Sequence, residues 1–206
     1  MEEINNKFVI NISETYKAFL WIDAKTGSTH MKKVLENYDF HACSFENGKI
    51  TKQKFIIQVH TCNLFQGHEN YILISSARNP YSRMFSFFRF SPEYREKIKT
   101  LSDFPRFVEQ KMLESNTECM NFHLRIPDYF VRVESTYEDY EKIPFIRESE
   151  YFKSGNLKTL CDNKLNENPV QLDWRDYYNQ EIADMVYHGS VRYFDVVGYD
   201  KNSWKK

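Results

Sequence analysis

Two short stretches of the chain carry residue types that suit the binding of phosphate-like anions. The first is Lys25-Thr26-Gly27-Ser28-Thr29-His30, which follows the apolar run Phe19-Leu-Trp-Ile22. An apolar run of that length reads as a buried strand, and Met31, Val34, Leu35 and Tyr38 then recur at helix spacing. Strand, tight turn and helix start bring backbone N–H groups to one point, where an anion is stabilised. Gly27 allows close backbone approach, Ser28 and Thr29 add hydroxyl donors, and Lys25 adds a full positive charge. The pattern is not a Walker A loop, in which a Gly-Lys-Ser/Thr triplet ends the motif, because here the lysine precedes the glycine. An ordinary strand–turn–helix junction capped by Ser28 has the same local pattern.

The second stretch is Arg78-Asn-Pro-Tyr-Ser-Arg-Met-Phe-Ser86, which follows the apolar run Tyr71 to Ala77. An arginine fork grips a phosphate through two nitrogens. Pro80 suits the first position of a helix, which places Ser82 and Ser86 on one face. Arg78, Ser86 and Arg83 are the candidates for a second phosphate, against the plainer reading of a helix start with surface arginines.

The elements that must position these groups follow from the pattern. Lys17–Ile22, Phe55–Val59, Tyr71–Ala77 and Tyr129–Val133 read as strands, and their nearly continuous apolar runs suit a parallel sheet covered on both faces. Lys7–Ser13 reads as a strand or extended lead-in. Helices are expected over Ser28–Tyr38, from Pro80, over Phe104–Glu114, over Tyr137–Lys142, and as one long amphipathic helix over Asp173–His188. A last strand is expected within Arg192–Tyr199. Strands alternating with helices give an α/β fold with a central parallel sheet. In such sheets ligands bind beyond the carboxyl ends of the strands. Three polar clusters fall there: Lys25–Thr29, His60–Asn63 and Arg78–Ser86.

At 206 residues the expectation is one domain, 1–206. A net charge of −1 argues against a nucleic-acid-coating protein, so any anion site must be local. The four cysteines, Cys43, Cys62, Cys119 and Cys161, lack CxxC spacing and read as free thiols in a reducing compartment. No metal site is expected, since no His/Cys ligand pair is apparent. Met1–Lys7 is polar and no apolar run reaches membrane-spanning length, so a cytoplasmic protein without a membrane span is expected. Tyr16, Phe65, Phe87, Phe88 and Phe90 are candidates to line a ligand cleft, although aromatic residues at this density more often form core.

Together these stretches resemble the sulfotransferases that use 3′-phosphoadenosine 5′-phosphosulfate (PAPS), in the style of the carbohydrate-type branch. Lys25-Thr-Gly-Ser-Thr29 is similar to that family's 5′-phosphosulfate loop. Arg78 to Ser86 is similar to its 3′-phosphate element, an Arg and a Ser separated by seven residues with Asn-Pro after the Arg. Tyr193-Phe-Asp-Val-Val-Gly-Tyr199 resembles the family's Asp-Phe-x-x-Phe-Gly-Tyr ending, with Tyr193 in place of the Asp and Val197 in place of the second Phe. Glu134–Asp139 resembles its Glu-x-Leu-x-x-Asp segment, with Thr136 in place of Leu. The similarity spans roughly residues 17 to 200.

The resemblance implies a three-layer α/β/α, P-loop-NTPase-like fold and transfer of a sulfuryl group to a carbohydrate or small-molecule hydroxyl. Lys25 would stabilise the departing bridging oxygen. The backbone of Gly27 to His30 would hold the 5′-phosphate, with Thr26 in the same loop and the Ser28 and Thr29 hydroxyls helping. Arg78 and Ser86 would hold the 3′-phosphate. His60, beyond the second expected strand, would be the general base, since an imidazole of ordinary pKa, about 6.5, accepts a proton at neutral pH. Asp23 and Glu46 are the fallback bases, and a loop near Lys164–Asn168 is a further cofactor contact. Two other readings compete: a P-loop-type phosphotransferase, marked by dependence on Mg²⁺ and ATP, and a catalytically inactive module that keeps the nucleotide pocket.

Overall fold

The computed structural model of the protein describes residues 9–23, 25–42, 44–46, 49–51, 67–90, 102–113, 125–163 and 172–205. His60, the expected strand Phe55–Val59, Phe65 and the Lys164–Asn168 loop lie outside the described residues. The fold is α/β, and the chain forms two compact units. One takes residues up to 77 together with 121–167, and the other takes 78–120 and 168–206.

The first unit is built on a five-stranded sheet. Its strands are β1 (Val9–Ser13), β2 (Ala18–Ile22), β3 (His41–Ala42), β6 (Ile72–Ala77) and β7 (Tyr129–Arg132), in the order β3-β1-β2-β6-β7. A separate hairpin pairs β4 (Ser44–Glu46) with β5 (Lys49–Thr51). β2, β6 and β7 run parallel, with Leu20 beside Ile74 and Ser75 beside Phe130. β1 and β3 are antiparallel to their neighbours, so the sheet is mixed rather than wholly parallel. The reason is chain length. Only residues 14–17 join β1 to β2, and a parallel crossover needs about a dozen residues or more. The turn closes through Lys17 at φ +47°, a left-handed conformation that no glycine or asparagine announces in the sequence.

All five residues of β2 are buried, as are the last five of β6. Ala18, Leu20 and Ile22 of β2, Ile74 of β6 and Val131 of β7 share a core with α1 (Ser28–Leu35). The helical segment after β7 completes it through Tyr140, Ile143, Ile146 and Leu157. That segment comprises α4 (Thr136–Glu141), α5 (Pro144–Arg147), α6 (Glu150–Lys153) and α7 (Asn156–Asp162). α1 is fixed by Met31 and Val34, nearly inaccessible and each worth roughly 2 kcal/mol of burial. On the other face of β2, Phe19 meets the rings of His68 and Tyr71.

The second unit is helical in its described residues. α2 (Pro80–Phe90), α3 (Asp103–Leu113), α8 (Gln180–His188) and α9 (Val191–Val197) enclose an aromatic core of Tyr81, Phe85, Phe88, Phe104, Phe107, Tyr178 and Phe194. Phe88 is therefore core, while Phe90 is about half exposed, at 49%. The sequence pattern and the structure differ here twice. The helix expected over Asp173–His188 is a 3₁₀ turn, Trp174–Tyr177, followed by α8. Asp173 accepts the Arg175 N–H and Asn179 accepts the Ile182 N–H, so each starts its own helix and the pattern is cut between them. The segment expected as a closing strand is the helix α9. Tyr193, Phe194 and Val197 fall on one helical face and are buried, and Gly198 at φ +82° ends the helix.

Candidate functional site

The first cradle forms where β2 leaves the sheet. The Asp23 N–H donates to Ser76 Oγ (3.0 Å), and the Thr26 hydroxyl donates to the Asp23 carbonyl (2.7 Å). Thr26 and Ser76 lie 2.5 Å apart, oxygen to oxygen. The Thr26 proton is committed to Asp23, so the proton of this last bond is Ser76's, and the three bonds close a ring that ties the loop to the end of β6. Thr26 is buried, and its hydroxyl is used within the protein. Asp23, buried at the base of the loop, accepts from the Trp21 indole N–H (3.2 Å). That environment makes it a wall of the loop rather than an exposed base.

Lys25 and Gly27 flank Thr26, and both have left-handed backbones, at φ +63° and +79°. Gly27 is the N-cap of α1, where Ser28 could have been expected, and no side chain caps the helix. The Met31 N–H makes the bond to the Gly27 carbonyl (3.1 Å) that opens the helix. The amides of Ser28, Thr29 and His30 precede it and have no acceptor within the helix. No acidic residue stands in this first turn. The positive end of the helix dipole is thus uncompensated by any side chain of its own first turn. Lys25, Gly27 and Ser28 are half-buried and Thr29 is exposed.

His30 faces inward. Its ring lies 6.2 Å from that of Tyr140, and burial lowers its pKa against the opposing effect of a bond to the Leu160 carbonyl.

Two features favour glycine at position 27. A Cβ at Gly27 would come within 3.2 Å of Val133 Cγ2, and the positive φ strains any other residue. Gly27→Ala is expected to lower the unfolding free energy by roughly 1–2 kcal/mol, measured by urea titration. An unchanged midpoint would show that the loop has another conformation open to it.

The second cradle begins at Arg78, directly after β6. Its backbone N–H donates to the Tyr193 hydroxyl (3.0 Å) and its Nε donates to Ser82 Oγ (2.9 Å). Ser82 in turn donates to the Asn79 carbonyl (3.2 Å). Asn79 Oδ1 accepts the Tyr81 N–H (3.0 Å) and so starts α2, with Pro80 as its first residue. Asn79 Nδ2 donates to Ser203 Oγ (2.7 Å) and the Tyr81 hydroxyl to the Lys201 carbonyl (2.6 Å), which ties the last turn of the chain to this element. Ser82 and Ser86 are both buried on one face of α2, a single turn apart. Arg83 is 5% exposed and lies over the Phe87 and Tyr193 rings, at 5.4 and 6.0 Å. Its guanidinium thus packs against two rings.

The Glu134–Asp139 segment has a different character. Asp139, 2% exposed, accepts from the Arg132 N–H, Nε and Nη2, from Ser135 Oγ and from Lys142 Nζ, all at 2.7–3.0 Å. It locks the end of β7. Burial alone would raise its pKa, but the bonds from Arg132, Lys142 and Ser135 outweigh that and hold it at about 2.

Each cradle therefore exists within its own unit. Ser76 and the Tyr193 hydroxyl are structural members that sequence spacing did not reveal. The only trace of the first is the Ser75-Ser76 pair in an otherwise apolar strand. The trace of the second is Tyr193 itself, standing where the resembled ending has an acid. Among the described residues, no helix is long and apolar enough to cross a membrane. Compared with protein-family models, with curated proteins and with solved structures, the chain matches none.

Proposed function

We propose that the protein is a PAPS-dependent sulfotransferase acting on a carbohydrate or small-molecule hydroxyl, with the three-layer P-loop-like fold of those enzymes and a cytoplasmic location. The observation that carries the reading is the start of α1. An uncapped, acid-free helix N-terminus sits behind Lys25 and a glycine that no other residue can replace without strain. That is the donor set a phosphosulfate needs, and Arg78 with Ser86 is the matching set for a 3′-phosphate.

The nucleotide supplies an activated sulfuryl group. In this reading the amides of Gly27 to His30 bind and orient its 5′-phosphate, with the Ser28 and Thr29 hydroxyls. His60 takes the acceptor's proton as the acceptor oxygen bonds to sulfur. The bond from sulfur to the bridging oxygen breaks, and Lys25 stabilises the negative charge left on that oxygen. The remaining product is 3′-phosphoadenosine 5′-phosphate (PAP).

A thermal-shift comparison of PAP, AMP and Mg²⁺-ATP tests the proposal. At concentrations far above its dissociation constant, PAP should raise the melting temperature by several degrees through linkage, and AMP much less. A shift confined to Mg²⁺-ATP would instead select a phosphotransferase.

A further inference from the structure

We infer that Tyr193 is a positioning residue that sets Arg78 for a 3′-phosphate, and so determines the preference for adenine nucleotides that carry one; the inference rests on the reading above. Arg78 stands before the N-cap Asn79, where its backbone N–H has no acceptor in α2. Its acceptor comes from 115 residues further along the chain, as the Tyr193 hydroxyl at 3.0 Å. The guanidinium is oriented at its other end by the Nε bond to Ser82. Backbone and side chain of Arg78 thus each bond to a hydroxyl.

Tyr193 is itself held. It is 4% exposed, in the first turn of α9. Gly198, at φ +82°, turns the chain so that the Tyr199 N–H donates to the Phe194 carbonyl (3.0 Å). Tyr199 then lies parallel to the Tyr193 ring, at 6.2 Å and 6°. On α2, the Arg83 guanidinium lies 6.0 Å from the Tyr193 ring. One side chain therefore touches both arginines of the Arg78–Ser86 element, the first through its hydroxyl and the second through its ring. This gives the closing Tyr-Phe-x-x-Val-Gly-Tyr segment a physical task. It is a buttress whose helix presents the hydroxyl and whose glycine folds a second ring behind it.

Tyr193→Phe removes the hydroxyl and keeps the ring. Calorimetry on the full chain with PAP and with AMP, which differ only in the 3′-phosphate, reads the effect. PAP affinity should fall roughly three- to tenfold while AMP affinity stays the same. Ser82→Ala, which leaves α9 untouched, should reduce the PAP-over-AMP preference in the same direction. A merely structural hydroxyl would weaken both nucleotides together or neither, and either result in a folded Tyr193→Phe protein would overturn the inference. So would a preference lost in Ser82→Ala and kept in Tyr193→Phe. If the unaltered protein binds PAP no tighter than AMP, the 3′-phosphate reading of the Arg78 element fails first, and the role of Tyr193 falls with it.

Discussion

On the sulfotransferase reading proposed above, replacing Lys25 by alanine is expected to lower sulfuryl transfer by two to three orders of magnitude, the usual cost of removing one preorganised donor from a site of developing charge. The loss should fall on turnover more than on nucleotide binding, because the charge on the bridging oxygen is largest in the transition state. Release of PAP from PAPS, with a phenol or a sugar mixture as acceptor, measures the first. Calorimetry with PAP measures the second. Lys25 offers an unusual control, because its backbone is left-handed, at φ +63°. A non-glycine residue in that conformation carries roughly 1–2 kcal/mol of strain. Alanine keeps the strain and loses the charge, whereas Lys25→Gly loses both. The glycine variant should therefore be as inactive as the alanine variant and no less stable. Catalysis and stability then move independently, as expected of a strained residue kept for its chemistry. Normal turnover in a folded Lys25→Ala protein would remove the phosphosulfate assignment of the loop.

The parts of this architecture that are legible in the sequence are those set by local signals. β2 is a continuous apolar run and β6 an apolar run broken only by Ser75 and Ser76, α2 opens on Pro80, and α3 begins at Asp103, within a residue of its expected start. The strand and short helix around Tyr129 to Glu141 follow from a β-rich run and a change of period. The misread segments are those where a cap overrode periodicity. Asn179 restarts a helix inside what reads as one amphipathic repeat. The β-branched and aromatic residues of Val191–Val197 suit a strand by composition, yet Gly198 and a one-sided burial pattern make them helical.

Residue type and spacing single out Lys25, Gly27, Arg78 and Ser86 as candidates, but they do not reveal the bonds that hold the Lys25–Thr29 loop and Arg78 in place. The Ser76 hydroxyl that closes the Thr26 ring is 50 residues away, and the Tyr193 hydroxyl on the Arg78 amide is 115 away. No periodicity encodes such pairings. They come from the sheet register in one unit and from helix packing in the other.

Asp139 shows how far such a pairing reaches, and it gives the largest expected effect on stability. Its carboxylate gathers five bonds, three of them from Arg132, and its pKa is held at about 2 against an ordinary value of 3.8. A carboxyl whose folded pKa is depressed stabilises the fold fully above its unfolded pKa. That contribution is lost as pH falls from about 4 through about 2. The shift corresponds to roughly 2 kcal/mol at neutral pH, somewhat less because the partner lysine is 58% exposed. Asp139→Asn turns one acceptor oxygen into an NH₂ group that faces the donors of Arg132 and Lys142. It should cost about 2–3 kcal/mol at pH 7 by urea unfolding and much less at pH 2.5, where the native carboxyl is itself becoming protonated. An equal loss at both pH values would mean that packing, not charge, is what Asp139 supplies. The lock also bears on the first cradle. Arg132 is followed by Val133, whose methyl group stands where a Cβ on Gly27 would project. Loosening the end of β7 should therefore free the Lys25–Thr29 loop, so, on the proposed reading, Asp139→Asn should also weaken PAP binding while leaving Lys25 and every hydroxyl of the loop in place.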